Sequence, residues 1–211
     1  MNRLKLFFLC VLLLFTFVNL SAQGEYSISE EQQKEITQRV KLRLCEFHNL
    51  LVSLANKEYM NTVDCENRVT VNTGIKIRSD NDARILIKSA NRYFAYGDKS
   101  LIEVTNSKGE KTKRFISSYL LGLYRLPYRT VSIEYVNIYL VDKIKRGENG
   151  LYYGTVVVEQ RFTGKGEFNY TSTDLKSFEI IVDVDPDDSS KMDVKFGNIV
   201  VVKEVDTNQK L

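Results

Sequence analysis

One histidine, three cysteines and two prolines in 211 residues are small numbers, and each shortage closes off a class of function. With His48 the only histidine, zinc is short of ligands, since a structural site wants four nitrogen or sulfur donors. Such a site would need Cys45, Cys65 and a carboxylate to converge on one helix residue, so His48 reads as a helix-surface or boundary residue. Nucleophilic catalysis has no foothold: there is no Gly-x-Ser-x-Gly elbow and no Cys/His pair with plausible roles. Nothing resembles a Pro- or Ser-rich linker, which leaves a single domain. Cofactor motifs are missing as well. Gly164-Lys165-Gly166 lacks the preceding glycine and the following Ser/Thr of a phosphate loop, and no helix starts there, so it reads as a bend. Asp183-Val-Asp185-Pro-Asp187-Asp188 has the oxygen-rich opening of a calcium loop. That pattern wants Gly sixth and Glu twelfth, where this chain has Asp188 and Val194, so it reads as a solvated hairpin tip. The expectation is a chain with neither metal nor cofactor.

What is present begins with an export signal. Arg3 and Lys5 precede an apolar run from Leu6 to Val18, followed by the small residues Ser21 and Ala22. That is the order of a secretory signal peptide over residues 1–22, and the rival reading is an uncleaved membrane anchor. Cys10 lies inside the apolar run and leaves with it. Cleavage after Ala22 leaves 28 Lys and Arg against 27 Asp and Glu, with no basic tract on one element, which argues against a nucleic-acid partner. The same cleavage leaves no integral membrane segment. Two cysteines remain, Cys45 and Cys65. In an exported chain an even count favours a disulfide, worth roughly 3 kcal/mol on the chain-entropy model, with two buried free thiols as the alternative.

Periodicity supplies the elements. Ser29 and Gln32 fit a capping box, after which Ile36, Val40, Leu44, Phe47, Leu51 and Leu54 recur at helical spacing over residues 30–56. Residues 57–80 read as a small hairpin around Asn72-Thr73-Gly74 or an irregular connection. A shorter helix over 81–94 has Ile85, Leu86, Ala90 and Tyr93 on one face. Residues 101–116 form a hairpin, and 117–126 a short helix ending before Pro127, with Tyr119, Leu120, Leu123 and Tyr124 on its apolar side. From Thr130 to Val205 the pattern is four strands, broken by residues 146–150, a bend over 163–173 and residues 186–190. Asn149-Gly150 suits a type I′ turn. Residues 207–211 read as a frayed, disordered tail.

This order predicts an α+β domain over residues 23–206, with N-terminal helices packed on a curved, mainly antiparallel sheet. The arrangement resembles the NTF2-like (cystatin-like) superfamily over about residues 30–205. It does so in element order, in SSYLLGLYRLPY leading into the long strand, and in YYGTVVVEQRFTG. The resemblance implies a cone-shaped sheet, and a similar look recurs in exported Gram-negative proteins of unknown function. It departs at residues 57–80, which are longer and less helical than the resemblance implies. In some NTF2-like enzymes the cone houses an acid or base.

A turn centred on Asn149-Gly150 pairs Gln160 with Tyr139, Phe162 with Asn137 and Val158 with Val141. Tyr135, Asn137, Tyr139 and Gln160 then share an otherwise apolar inner face with Val131, Ile133, Val156 and Val158. One slip or one bulge reverses that assignment. Two amides and two phenols on such a face suit a small-molecule pocket, or they satisfy one another in a core. No carboxylate from the first two strands of the meander falls there, so an enzyme would need an ionisable residue from the helices, such as Tyr124. The opposite face, with Val136, Ile138, Leu140, Thr155 and Val157, is apolar enough to predict a homodimer. The reading is an exported, periplasmic or outer-surface, non-catalytic binding or assembly module with an unknown protein or small-molecule partner. A small-molecule binder using the cone is the alternative.

Overall fold

A computed structural model describes residues 28–203, apart from 66–68, 107, 186–187 and 189–190, and at 60–64 and 69–73 it describes the backbone alone. Residues 1–22, expected to be a signal peptide, with Cys10 among them, and residues 207–211 lie outside the described residues.

Helix α1, Glu30–Asn56, starts where its sequence predicts. Ser29 Oγ accepts from the Gln32 N–H at 3.1 Å, and Gln32 Oε1 accepts from the Ser29 N–H at 3.2 Å, so two otherwise unpaired donors are satisfied reciprocally. Its apolar stripe, Ile36, Val40, Leu44, Phe47, Leu51 and Leu54, is buried. Strands β1 (Glu58–Asp64) and β2 (Val69–Lys76) form a separate antiparallel pair. Asn72 lies in the ladder opposite Met60, so Asn72-Thr73-Gly74 belongs to strand β2 and is not a hairpin turn. Helix α2, Asp80–Ala90, carries a second capping box, Ser79 with Asp82. It buries Ala83, Ile87 and Ala90, while Ile85, expected on the inner side, is 61 % exposed. Tyr93 is buried in a 3-10 turn, Asn91–Tyr93, that follows.

The remaining strands are β3 (Leu101–Thr105), β4 (Lys111–Phe115), β5 (Thr130–Leu140), the short β6 (Lys145–Arg146), β7 (Tyr152–Lys165), β8 (Tyr170–Val184) and β9 (Met192–Val202). Helix α3, Ile116–Tyr124, joins β4 to the meander. They make one sheet in the order β4-β3-β9-β8-β7-β5, with β6 paired to β7. All pairings are antiparallel except the short parallel contact of β3 with β9 at Ile102 and Ile199. The class is α+β, with the buried faces of the helices packed in one core with this sheet. Phe47 of α1, Phe94, Phe178 and Phe196 meet edge to face at its centre, with centroids 5.2 to 6.3 Å apart.

Helix α1 also closes exposed backbone at two margins of the sheet. Toward its start, Arg39 Nη1 donates to Met192 O at 3.3 Å and Arg43 Nε to Val194 O at 2.9 Å, along the half of β9 that β3 leaves uncovered. Toward its end, His48 Nε2 donates to Ile133 O at 2.6 Å. Asn56 bonds both the N–H and the C=O of Val131, at 2.9 and 2.8 Å. Side chains thus replace the neighbouring strand that edge strand β5 lacks. At the far margin β4 is fully exposed and carries Lys111, Lys113 and Arg114, charges that discourage pairing with another chain.

The β5–β7 register corrects the expected one. Gln160 lies opposite Tyr135, Phe162 opposite Ile133 and Val158 opposite Ile138. After Leu140 the chain leaves the ladder and buries Ile144 against Gly154, where a Cβ would sit 2.9 Å from Ile144 Cγ1. It rejoins as β6 and turns through Gly147 to Gly150, the Gly150 N–H bonding Gly147 O at 3.0 Å. Gly150 has φ 82°, whereas Asn149 is not in the left-handed region, so the turn is not the type I′ turn expected at Asn149-Gly150. The bend after β7 is also tighter than expected: Gly164 and Lys165 remain paired with Val131 and Thr130, leaving residues 166–169 to reverse the chain.

Candidate functional site

A bulge between Tyr135 and Asn137 divides the expected quartet. With Val136 as the extra residue, both Val136 and Asn137 turn outward, and every later side chain of β5 changes face. Tyr135 and Gln160 stay inside, directly opposite each other. Asn137 is outside, its Nδ2 donating to Glu159 Oε2 at 2.6 Å, and Tyr139 follows it outward. Neither Asn137 nor Tyr139 lines the inner face. Ile138 and Leu140 turn inward in their place and pack on the core. The bulge also dismantles the outer apolar surface expected to dimerise. Of its residues Ile138 and Leu140 are now inside, Val157 is buried, and Val136 alone is an exposed large hydrophobic, at 39 %.

The inner polar group is instead built by three adjacent strands and two helices. Gln160 is 6 % exposed, and its amide makes no hydrogen bond to a described residue. Tyr135 packs its ring 4.9 Å from the His48 imidazole, and its hydroxyl is buried without a hydrogen-bond partner among the described residues. Loss of solvent, and secondarily the neighbouring Tyr119, push this phenol well above its usual range. Lys176 of β8 is 3 % exposed and lies diagonal to Gln160, since Val158 faces Lys176 and Gln160 faces Asp174. Its ammonium sits 5.4 Å from the centre of the Tyr119 ring and forms no ion pair with a described residue. Asp174, partly buried, brings a carboxylate to the same face one step nearer the β7–β8 bend. Toward that bend the lining turns aromatic, with Phe162 between Tyr128 and Tyr170 at 5.9 and 6.1 Å. Tyr124, at the end of α3, is buried in the core.

Lys176, Asp174 and His48 are the residues that the sequence reading did not place here. For Lys176 the signal was its phase: in DLKSFEIIVDV it alternates with Phe178, Ile180 and Val182, so an apolar strand face carries a lysine. His48 is a half-buried residue that seals β5 and supports Tyr135, a role its helical position alone does not reveal.

Cys45 and Cys65 form a disulfide, their Cα atoms 5.8 Å apart, which fastens the β1–β2 pair to α1. Their sulfurs are thereby spent as metal ligands, and no group of three His, Cys, Asp or Glu converges among the described residues. A shallow depression of about 60 Å³ lies beside α1 and β9, but Arg39 and Arg43, which line it, already bond Met192 O and Val194 O. Among the described residues no helix is long and apolar enough to cross a membrane.

Comparison with known proteins returns no matching family model, no matching curated protein and no matching solved structure.

Proposed function

We propose that this protein is an exported, non-catalytic binding module of the NTF2-like type, and that the inner face of its sheet receives a small molecule. The observation that carries the reading is the group Tyr135, Gln160 and Lys176. These are three polar side chains on neighbouring strands, Gln160 and Lys176 buried and Tyr135 partly buried with its hydroxyl enclosed, with no hydrogen bond from the phenol, the amide or the ammonium to another described residue. Native cores pair their buried polar groups, and convergent unpaired ones beside apolar and aromatic walls are how a binding site is lined. The sheet order, a hairpin running alongside the last strand of an antiparallel meander, supports the NTF2-like resemblance. The Cys45–Cys65 disulfide supports export, because such bridges persist in oxidising compartments. A non-catalytic role accords with His48, whose Nε2 is committed to Ile133 O, leaving no histidine free to exchange protons through that atom.

Ligand-observed NMR with a mixed library of neutral and charged fragments tests the reading, using the mature chain and Ser172→Trp. Ser172 faces Phe162 on the inner side, so the indole obstructs the aromatic end of the face. Hits are expected with the wild type and lost in the variant. An absence of hits, or hits indifferent to Ser172→Trp, overturns the proposal.

A further inference from the structure

Resting on that reading, we infer that the ligand is a small organic acid whose carboxylate docks between Lys176, Gln160 and Tyr135. The donor inventory carries the inference. Lys176 offers an ammonium with three donors and no acceptor, Gln160 offers an NH2 group, and Tyr135 offers a hydroxyl. Gln160 and Tyr135 stand directly opposite across β7 and β5, about 5 Å apart, and Lys176 stands on the diagonal at about 7–8 Å, within reach of long side chains.

Among the described residues this cluster meets a ring face and forms no ion pair. Tyr119 partners the ammonium through its π face, and Asp174, the carboxylate nearest along the strand, makes no ion pair with it. A buried ammonium is held at a cost unless an opposite charge meets it. A carboxylate satisfies all three donors with two oxygens, which a neutral amide cannot do because its own NH2 opposes Lys176. The rest of the ligand points toward Phe162, Tyr128 and Tyr170, which favours an aliphatic or aromatic body. Asp174 stands between the two regions and disfavours a second acidic group, so the expected ligand is a monoacid.

Matched pairs separate charge from shape. Isothermal titration of the mature chain with octanoate and octanamide, and with phenylacetate and phenylacetamide, is expected to show the acid binding about ten- to a hundred-fold tighter than its amide. That is the range of a hydrogen bond to a charged group. Lys176→Met should bring acid and amide to parity while retaining amide binding, and Lys176→Arg should keep the preference. Near-ultraviolet circular dichroism establishes that each variant is folded. The wild-type ratio needs no variant, so it decides even where Lys176→Met does not fold. Equal binding of acid and amide by the wild type, or a preference that survives in folded Lys176→Met, overturns the carboxylate while leaving a neutral ligand on the same face. No binding of any of the four overturns the carboxylate too, and the fragment screen then decides separately whether the face binds anything.

Discussion

Removing the Cys45–Cys65 bridge is the perturbation whose size follows most directly from the structure. The disulfide spans 20 positions in sequence, and a loop of that size restricts the unfolded chain by about 3 kcal/mol on the chain-entropy model. Both cysteines are only half-buried, so truncating them to alanine leaves little cavity and the loop term dominates. For a domain of this length, roughly 2–4 °C of melting temperature accompany each kcal/mol, so Cys45→Ala/Cys65→Ala should melt roughly 6–12 °C lower. Urea unfolding is the assay, with and without dithiothreitol. Beyond the lower midpoint, the denaturant slope should rise, because the unfolded chain without its bridge exposes more surface. Reductant should bring the wild type to the variant's curve and leave the variant unmoved. A double variant within about 1 kcal/mol of wild type, with an unchanged slope, would refute the reasoning. It would mean either that the bridge strains the native state as much as it restricts the unfolded one, or that residues 45–65 stay compact on unfolding.

Two further outcomes concern Tyr135 and Asn56. Burial holds the Tyr135 phenol protonated above its ordinary range, so above pH 10 the unfolded chain releases this proton while the folded chain retains it. Stability from this group is full below pH 10 and falls by up to about 1.4 kcal/mol per pH unit above it. Urea midpoints from pH 8 to 11 should therefore fall more steeply for wild type than for Tyr135→Phe, and parallel curves would contradict the burial. At neutral pH the same variant should be no less stable than wild type, since it deletes a hydroxyl that has no partner among the described residues. Asn56→Ala strips both groups of Val131 of their bonds and should cost about 1–3 kcal/mol, with faster hydrogen exchange at the Val131 amide. Unchanged exchange there would show that Asn56 does not seal the edge.

Legibility followed the range of the forces involved. The capping box at Ser29, the helical stripe of α1 and the alternation within β7 to β9 are local, written in neighbouring residues, and the structure reproduces them nearly residue for residue. The candidate site was half legible. Gln160 and Tyr135 were placed on the inner face, although through a wrong register, because two errors compensated: the turn shifted the pairing, and Tyr135 lies before the bulge. Asn137 and Tyr139 lie after it and were misplaced. Lys176 was visible as a lysine in an apolar phase, but helix α3 had to fold over the sheet before Tyr119 could identify it as a buried cation.

By itself, then, the sequence determined the α+β class, the boundaries of the long helix and meander, and the two cysteines available for a bridge. Only the tertiary structure decided which polar groups meet. Side chains alternate with a period of two along a strand, so the single extra residue at Val136 inverts everything beyond it. With it, Ile138 packs on the core, a contact that no local pattern encodes.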